Sequence, residues 1–141
     1  MTLQQIASAV ERSGACGERG VVSIYVFGSV VAGRVHRESD VDLGVLLNRQ
    51  VHPTTRARFD VRLRLFAALA TALGTDRLDL VMLNDAPPQF ARRIVTDGVR
   101  VYCADPAGDH DFRRDVQLRA ADVEPFLRRT AKSKLDAIAR T

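Results

Sequence analysis

Apolar residues recur along this chain in two rhythms that alternate from the N-terminus onward. Leu3, Ile6, Ala7 and Val10 are spaced as on one face of a helix, which predicts helix over residues 2–13 with Gly14 near its end. Val21 to Phe27 is short, continuous and rich in β-branched residues, the pattern of a buried strand ending at Gly28. Ser29 to Arg34 then reads as a short helix or tight loop, and Val41 to Leu47 as a second strand. Pro53, Thr54 and Thr55 open a long helix in which Phe59, Leu63, Phe66, Ala70 and Leu73 predict the buried stripe, and Gly74 supplies a natural stop. Leu78 to Leu83 predicts a third strand. Pro87 and Pro88 start a helix running to about Asp97, because proline suits a helix's first turn. Val99 to Cys103 predicts a fourth strand. Residues 109–140 are helical and highly charged, and Pro125 predicts a kink there or a division into two helices. The order α-β-α-β-α-β-α-β-α describes an α/β or α+β domain around a small mixed sheet.

Composition narrows the class. The 141 residues make one domain's worth of chain, enough for a core without covalent staples. No apolar run approaches the roughly 18 residues needed to span a bilayer, and no basic start followed by an apolar stretch marks a secretory leader. Cys16 and Cys103 lack metal-ligand spacing and read as free thiols, in keeping with a cytoplasmic protein. The formal charge is +4, carried by nineteen arginines and two lysines, which is compatible with anionic partners without choosing among them.

The acids carry the chemistry. Alternate residues of a strand share a face. Asp40, Asp42 and Gly44 therefore point one way, while Val41, Leu43, Val45 and Leu47 face the core. The two aspartate Cα atoms are about 6.6 Å apart at strand rise. Two carboxylates 4 Å apart repel by about 4 kcal/mol at an effective dielectric of 20. A hard divalent cation relieves this, and oxygen-only donors favour Mg²⁺ or Mn²⁺. Asp79, between Leu78 and Leu80, adds a third acid if the second and third strands are neighbours, positioned to ligate metal and to orient or deprotonate an attacking hydroxyl. Gly28 lets backbone approach phosphates, and Ser29 offers a hydroxyl and an amide beside it. Each feature has a plainer reading: Asp40 as a turn residue, Asp42 as an edge-strand polar residue, Asp79 as an ion-pair partner of Arg77 or Arg100, Gly28-Ser29 as a common turn. Their order and placement favour a shared nucleotide site. His36 and Arg37, in the loop between the two halves of the pattern, are further candidates for phosphate contact. Gly28 to Val35 also resembles a phosphate-binding P-loop, but Arg34 and Val35 replace its lysine and its Ser or Thr.

Gly28-Ser29, ten residues, then Asp40-Val41-Asp42 resembles the GSx10DxD motif of the DNA polymerase β-like nucleotidyltransferase superfamily. More narrowly it is similar to the minimal nucleotidyltransferase (MNT) antitoxins of HEPN–MNT toxin–antitoxin pairs, and residues 77–102 share that similarity, with the third acid at Asp79. The resemblance covers roughly residues 3–105. It implies a nucleotidyltransferase core over 1–105 and a helical segment over 106–141 that packs on the core or on a partner. It implies that Asp40, Asp42 and Asp79 hold Mg²⁺ and the triphosphate of ATP, and that AMP passes to a tyrosine hydroxyl of a HEPN RNase toxin, with no membrane and no direct nucleic-acid partner. A homo- or hetero-oligomer is compatible with this. Two alternatives stay open: a small-molecule, aminoglycoside-type nucleotidyltransferase, and a non-catalytic antitoxin that blocks its toxin by contact.

Overall fold

The computed structural model describes residues 1–33 and 40–139. Strands β1 (Val21–Phe27), β2 (Val41–Leu47), β3 (Leu78–Met82) and β4 (Val99–Cys103) form one mixed sheet in the order β3-β2-β1-β4. β1 is antiparallel to both β2 and β4, whereas β2 and β3 run parallel. The helices are α1 (Leu3–Arg12), α2 (Thr55–Leu73), α3 (Pro88–Asp97) and α4 (Pro106–Ala139). Three strands match the residues expected of them. The third ends one residue early, where Leu83–Asp85 tighten into a 3-10 turn. Residues 28–33 form turns, with the Ala32 amide donating to the Gly28 carbonyl at 3.0 Å, so no helix precedes residue 34 there. The remainder of that connection, including His36 and Arg37, lies outside the described residues.

Local chemistry sets the helix ends. Thr2 and Gln5 form a reciprocal capping box on α1, and Thr54 accepts from the Ala57 amide to start α2. Gly74 ends α2 at φ +70°, a conformation that disfavours side-chain-bearing residues.

Both sheet faces are covered, which is why β1 and β2 read as nearly unbroken apolar runs rather than alternating ones. On one face Ile6 and Val10 of α1 and Val61, Leu65 and Leu69 of α2 join Ile24, Leu43 and Leu80 of the strands. On the other, Ile94 and Val95 of α3 and Val116 of α4 join Val22, Tyr25 and Leu46. The expected stripe of α2 is rotated. Arg58, Val61, Leu65, Leu69 and Leu73 are buried, whereas Phe59 and Leu63 are each 52% exposed. Only Leu73 is buried as expected; Phe66 packs on the core from a half-buried position. The cause lies at the helix start. The Arg58 guanidinium donates from Nε and Nη2 to both Asp85 oxygens, at 2.9 and 2.8 Å, and from Nη1 to the His52 carbonyl at 3.0 Å. This bidentate pair pins the roll of the helix with the Arg58 face inward.

α4 is a single helix through Pro125, not two. Proline removes one backbone hydrogen bond, a local loss that a helix of 34 residues absorbs. Its first half docks on the core through Val116 and Ala120, both fully buried, and through Asp109. Of the residues expected to cover the sheet from this segment, Val116 does so and Phe112 and Val123 are half-buried. The side chains of Phe126, Leu127, Leu135 and Ile138 lie outside the described residues. Asp109, 1% exposed, accepts from Ser23 at 2.7 Å, Tyr25 at 2.6 Å and Arg100 at 2.9 Å, tying α4 to β1 and β4.

Candidate active site

β1 delivers the chain to Gly28, which turns at φ +81° directly beside β2. Phe27 pairs with Asp42 in the antiparallel register. A Cβ at position 28 would collide with the Asp42 carboxylate, so the glycine is required twice, by its dihedral and by the acid tucked against it. Asp42 in turn pairs with Asp79 across the parallel register of β2 and β3. Paired residues on neighbouring strands share a face, and such strands lie about 4.8 Å apart. Asp42 and Asp79 therefore stand side by side on the face covered by α3. Asp40, two residues before Asp42, completes the row from the mouth of β2.

Two residues further into the sheet, Gly44 makes room for α3. A Cβ there would come within 3.0 Å of Ile94 Cγ2 and 3.3 Å of Leu83 Cδ2. The helix packs down at this point and leaves the acids at the rim, with Asp42 half-buried and Asp40 and Asp79 exposed. Burial raises the pKa of the Asp42 carboxyl, and the neighbouring Asp79 and Asp40 charges raise it further. The three acids thus share one electrostatic site. Ser29 lies half-buried in the adjoining turn.

A divalent cation suits this donor set, which is all oxygen and bears mutually repelling charge. The side chains are not drawn in around one point, however. Among the described residues no three His, Cys, Asp or Glu groups stand at metal-holding spacing. The mutual influence of the acids on Asp42 operates over longer distances than coordination does, so the two observations agree on a site that is assembled and open.

Two depressions lie near the acids, one reaching Gly28 and one reaching Val81, two residues beyond Asp79, and neither is lined by Asp40, Asp42 or Asp79 themselves. One, of about 500 Å³, lies on the Gly28 side and is lined by Phe27, Gly28, Val31, Ala32, Phe90 and Arg93 among others. The second, of about 340 Å³, wraps the free edge of β3 and is lined by Phe59, Arg62, Val81, Pro87 and Phe90. Phe90 borders both, held edge-on to Phe27 with ring centroids 5.8 Å apart. Sequence reasoning placed Phe90 and Arg93 on a helix but missed that they wall the site. Their i, i+3 spacing puts them on one face of α3, but any exposed helix face shows that spacing and it does not mark a cleft.

A glycine turn packed on the first of two neighbouring acid-bearing strands, in a mixed sheet between helical layers, matches the nucleotidyltransferase fold. The chain belongs to the family described as polymerase beta, nucleotidyltransferase, whose model matches residues 15–107. Among individual proteins it is similar to protein adenylyltransferase MntA of Shewanella oneidensis, with 35% identity over 79 residues, or 56% of this chain and 52% of that protein. The match thus spans about half the length of that relative. The fold also resembles a chain of a toxin–antitoxin crystal structure with AMP-PNP, at 24% identity and a TM-score of 0.61, covering 96% of this chain and 97% of that one. A second structure, tri-AMPylated Shewanella oneidensis HEPN toxin in complex with MNT antitoxin, contains a chain similar at 21% identity and a TM-score of 0.60, covering 96% and 98%.

Proposed function

We propose that the protein is a Mg²⁺- or Mn²⁺-dependent nucleotidyltransferase that moves AMP from ATP to a tyrosine hydroxyl of a HEPN RNase toxin, and so acts as its antitoxin. The observation that carries this reading is the in-register pairing of Asp42 and Asp79 beside Gly28. The similarity to an adenylyltransferase and to toxin–antitoxin complexes supports it.

Each residue has work that follows from its place. The backbone at Gly28 admits the triphosphate without a Cβ in the way, and Ser29 offers its hydroxyl and amide to phosphate oxygens. Asp40, Asp42 and Asp79 would hold the cation, which when bound neutralises phosphate charge and acidifies an attacking oxygen. Asp79, exposed at the end of the row, is the acid that an incoming hydroxyl meets, and it orients that hydroxyl and accepts its proton. Positioning and charge dominate such transfers, so three carboxylates and a turn suffice.

The test is transfer of labelled AMP to a HEPN partner, read as intact mass. Asp42→Asn should lower transfer by more than the 10- to 100-fold that loss of a group merely supporting a metal ligand costs. It should not lower the melting temperature, because it removes a charge that burial and two neighbouring acids disfavour. Full transfer by this variant at ordinary Mg²⁺ would refute the assignment. Toxin binding without any transfer by the natural protein would instead support an antitoxin that acts by contact.

A further inference from the structure

From the two depressions beside the acids we infer a division of labour: the groove around the free edge of β3 is the acceptor site, and its occupant is the ring of the tyrosine to be modified. The inference rests on the proposed transfer to tyrosine and adds where that side chain lies.

Geometry comes first. Gly28 and Asp79 stand at opposite ends of the row, separated by Asp42. Attacking and leaving oxygens must lie roughly in line through phosphorus. With phosphates at the Gly28 turn, the hydroxyl therefore arrives from the β3 side. Val81 lines the groove there, two residues beyond Asp79 on the same face and about 6.6 Å along the strand. A phenol ring lying on Val81 carries its oxygen toward the Asp79 carboxylate.

The chemistry of the walls selects the occupant. Phe59 is 52% exposed and Phe90 36%, the two most exposed aromatic side chains among the described residues. The groove's charged side chains are already engaged. Both Asp85 oxygens bond Arg58, and Arg62 Nε donates to the Leu80 carbonyl at 2.9 Å. A cationic, hydroxyl-rich acceptor of the aminoglycoside kind would need those charges free; an aromatic ring needs only the apolar walls. The Arg62 bond also occupies a carbonyl on the exposed edge of β3, so a partner strand cannot simply extend the sheet. Recognition here works through a side chain laid between Phe59, Val81 and Phe90.

The reaction balances without further reagents. The phenol oxygen forms a bond to the α-phosphorus of ATP, the bond from that phosphorus to the pyrophosphate oxygen breaks, pyrophosphate leaves, and the phenol proton passes to Asp79.

The experiment compares N-acetyltyrosinamide and N-acetylserinamide as acceptors of label from α-labelled ATP with Mn²⁺, in the full chain and in Phe59→Ser and Phe59→Leu. Phe59→Ser should raise KM for the tyrosine amide about tenfold, with kcat and KM for ATP within about twofold, and Phe59→Leu should stay near the natural protein. An unchanged KM for the tyrosine amide in Phe59→Ser overturns the groove assignment and leaves nucleotidyl transfer intact. Equal use of serine and tyrosine amides overturns the aromatic preference in the same way. ATP binding with no transfer to either amide overturns the groove as a site that holds a tyrosine by its ring alone, and transfer to the HEPN partner then decides the proposed function separately.

Discussion

Gly28 and Asp42 occupy one another's space, and the consequence can be measured. Alanine at position 28 must adopt a dihedral that costs it about 1 kcal/mol, and its methyl displaces the Asp42 carboxylate. Gly28→Ala should therefore lower stability by about 1–2 kcal/mol in urea titration and reduce AMP transfer well beyond what that destabilisation explains. At this scale the sequence was informative where chemistry is local. Gly28, Asp40 and Asp42 announce themselves through spacing, because one strand and one turn carry them. Asp79 was legible only as an acid misplaced in an apolar strand; its partner across the register came from topology. Phe90 and Arg93 gave no such sign, since an exposed aromatic on an amphipathic helix looks the same whether it borders a cleft or water.

Among the elements, α2 separates pattern from packing. Its apolar residues permit two stripes, one through Phe59 and Leu63 and one through Val61, Leu65 and Leu69. A bidentate ion pair between Arg58 and Asp85, 27 residues apart, decides between them, and no helical periodicity reports a contact at that distance. The choice predicts an asymmetry. Leu65→Ala empties a buried site and should cost about 2–5 kcal/mol, while Leu63→Ala should stay within about 0.5 kcal/mol, both read by chemical denaturation. The strands were easier to read. Both faces of β1 and β2 are covered, so their whole length is apolar and their ends are marked by the change to polar turns.

For the whole molecule, the helical layers differ in how they are attached. α1 adheres through apolar contact, α2 adds the Arg58–Asp85 pair near its start, and α4 is fastened by the buried Asp109. Burial alone would raise this carboxyl's pKa, but hydrogen bonds from Tyr25, Ser23 and Arg100 outweigh it and hold the pKa below the ordinary range. Burial, and then the bond to Asp109, push the Tyr25 phenol up to about 12. A depressed carboxyl favours the fold when ionised. Its contribution is complete above the unfolded value near 3.9 and disappears as pH falls through the lower native value. Asp109→Asn should thus cost on the order of 3 kcal/mol at pH 7, and the gap between variant and natural protein in thermal melts should close in strong acid. The connection of β2 to β3 carries a different consequence. These strands are parallel, so the chain cannot fold straight back between them and must pass through α2. The glycine turn and the first two acids need only the β1–β2 pairing to meet, while the third acid arrives when the crossover closes. A refolding chain should accordingly bring its phosphate cradle together before its reactive centre, since the last of the three carboxylates waits on the longer loop closure.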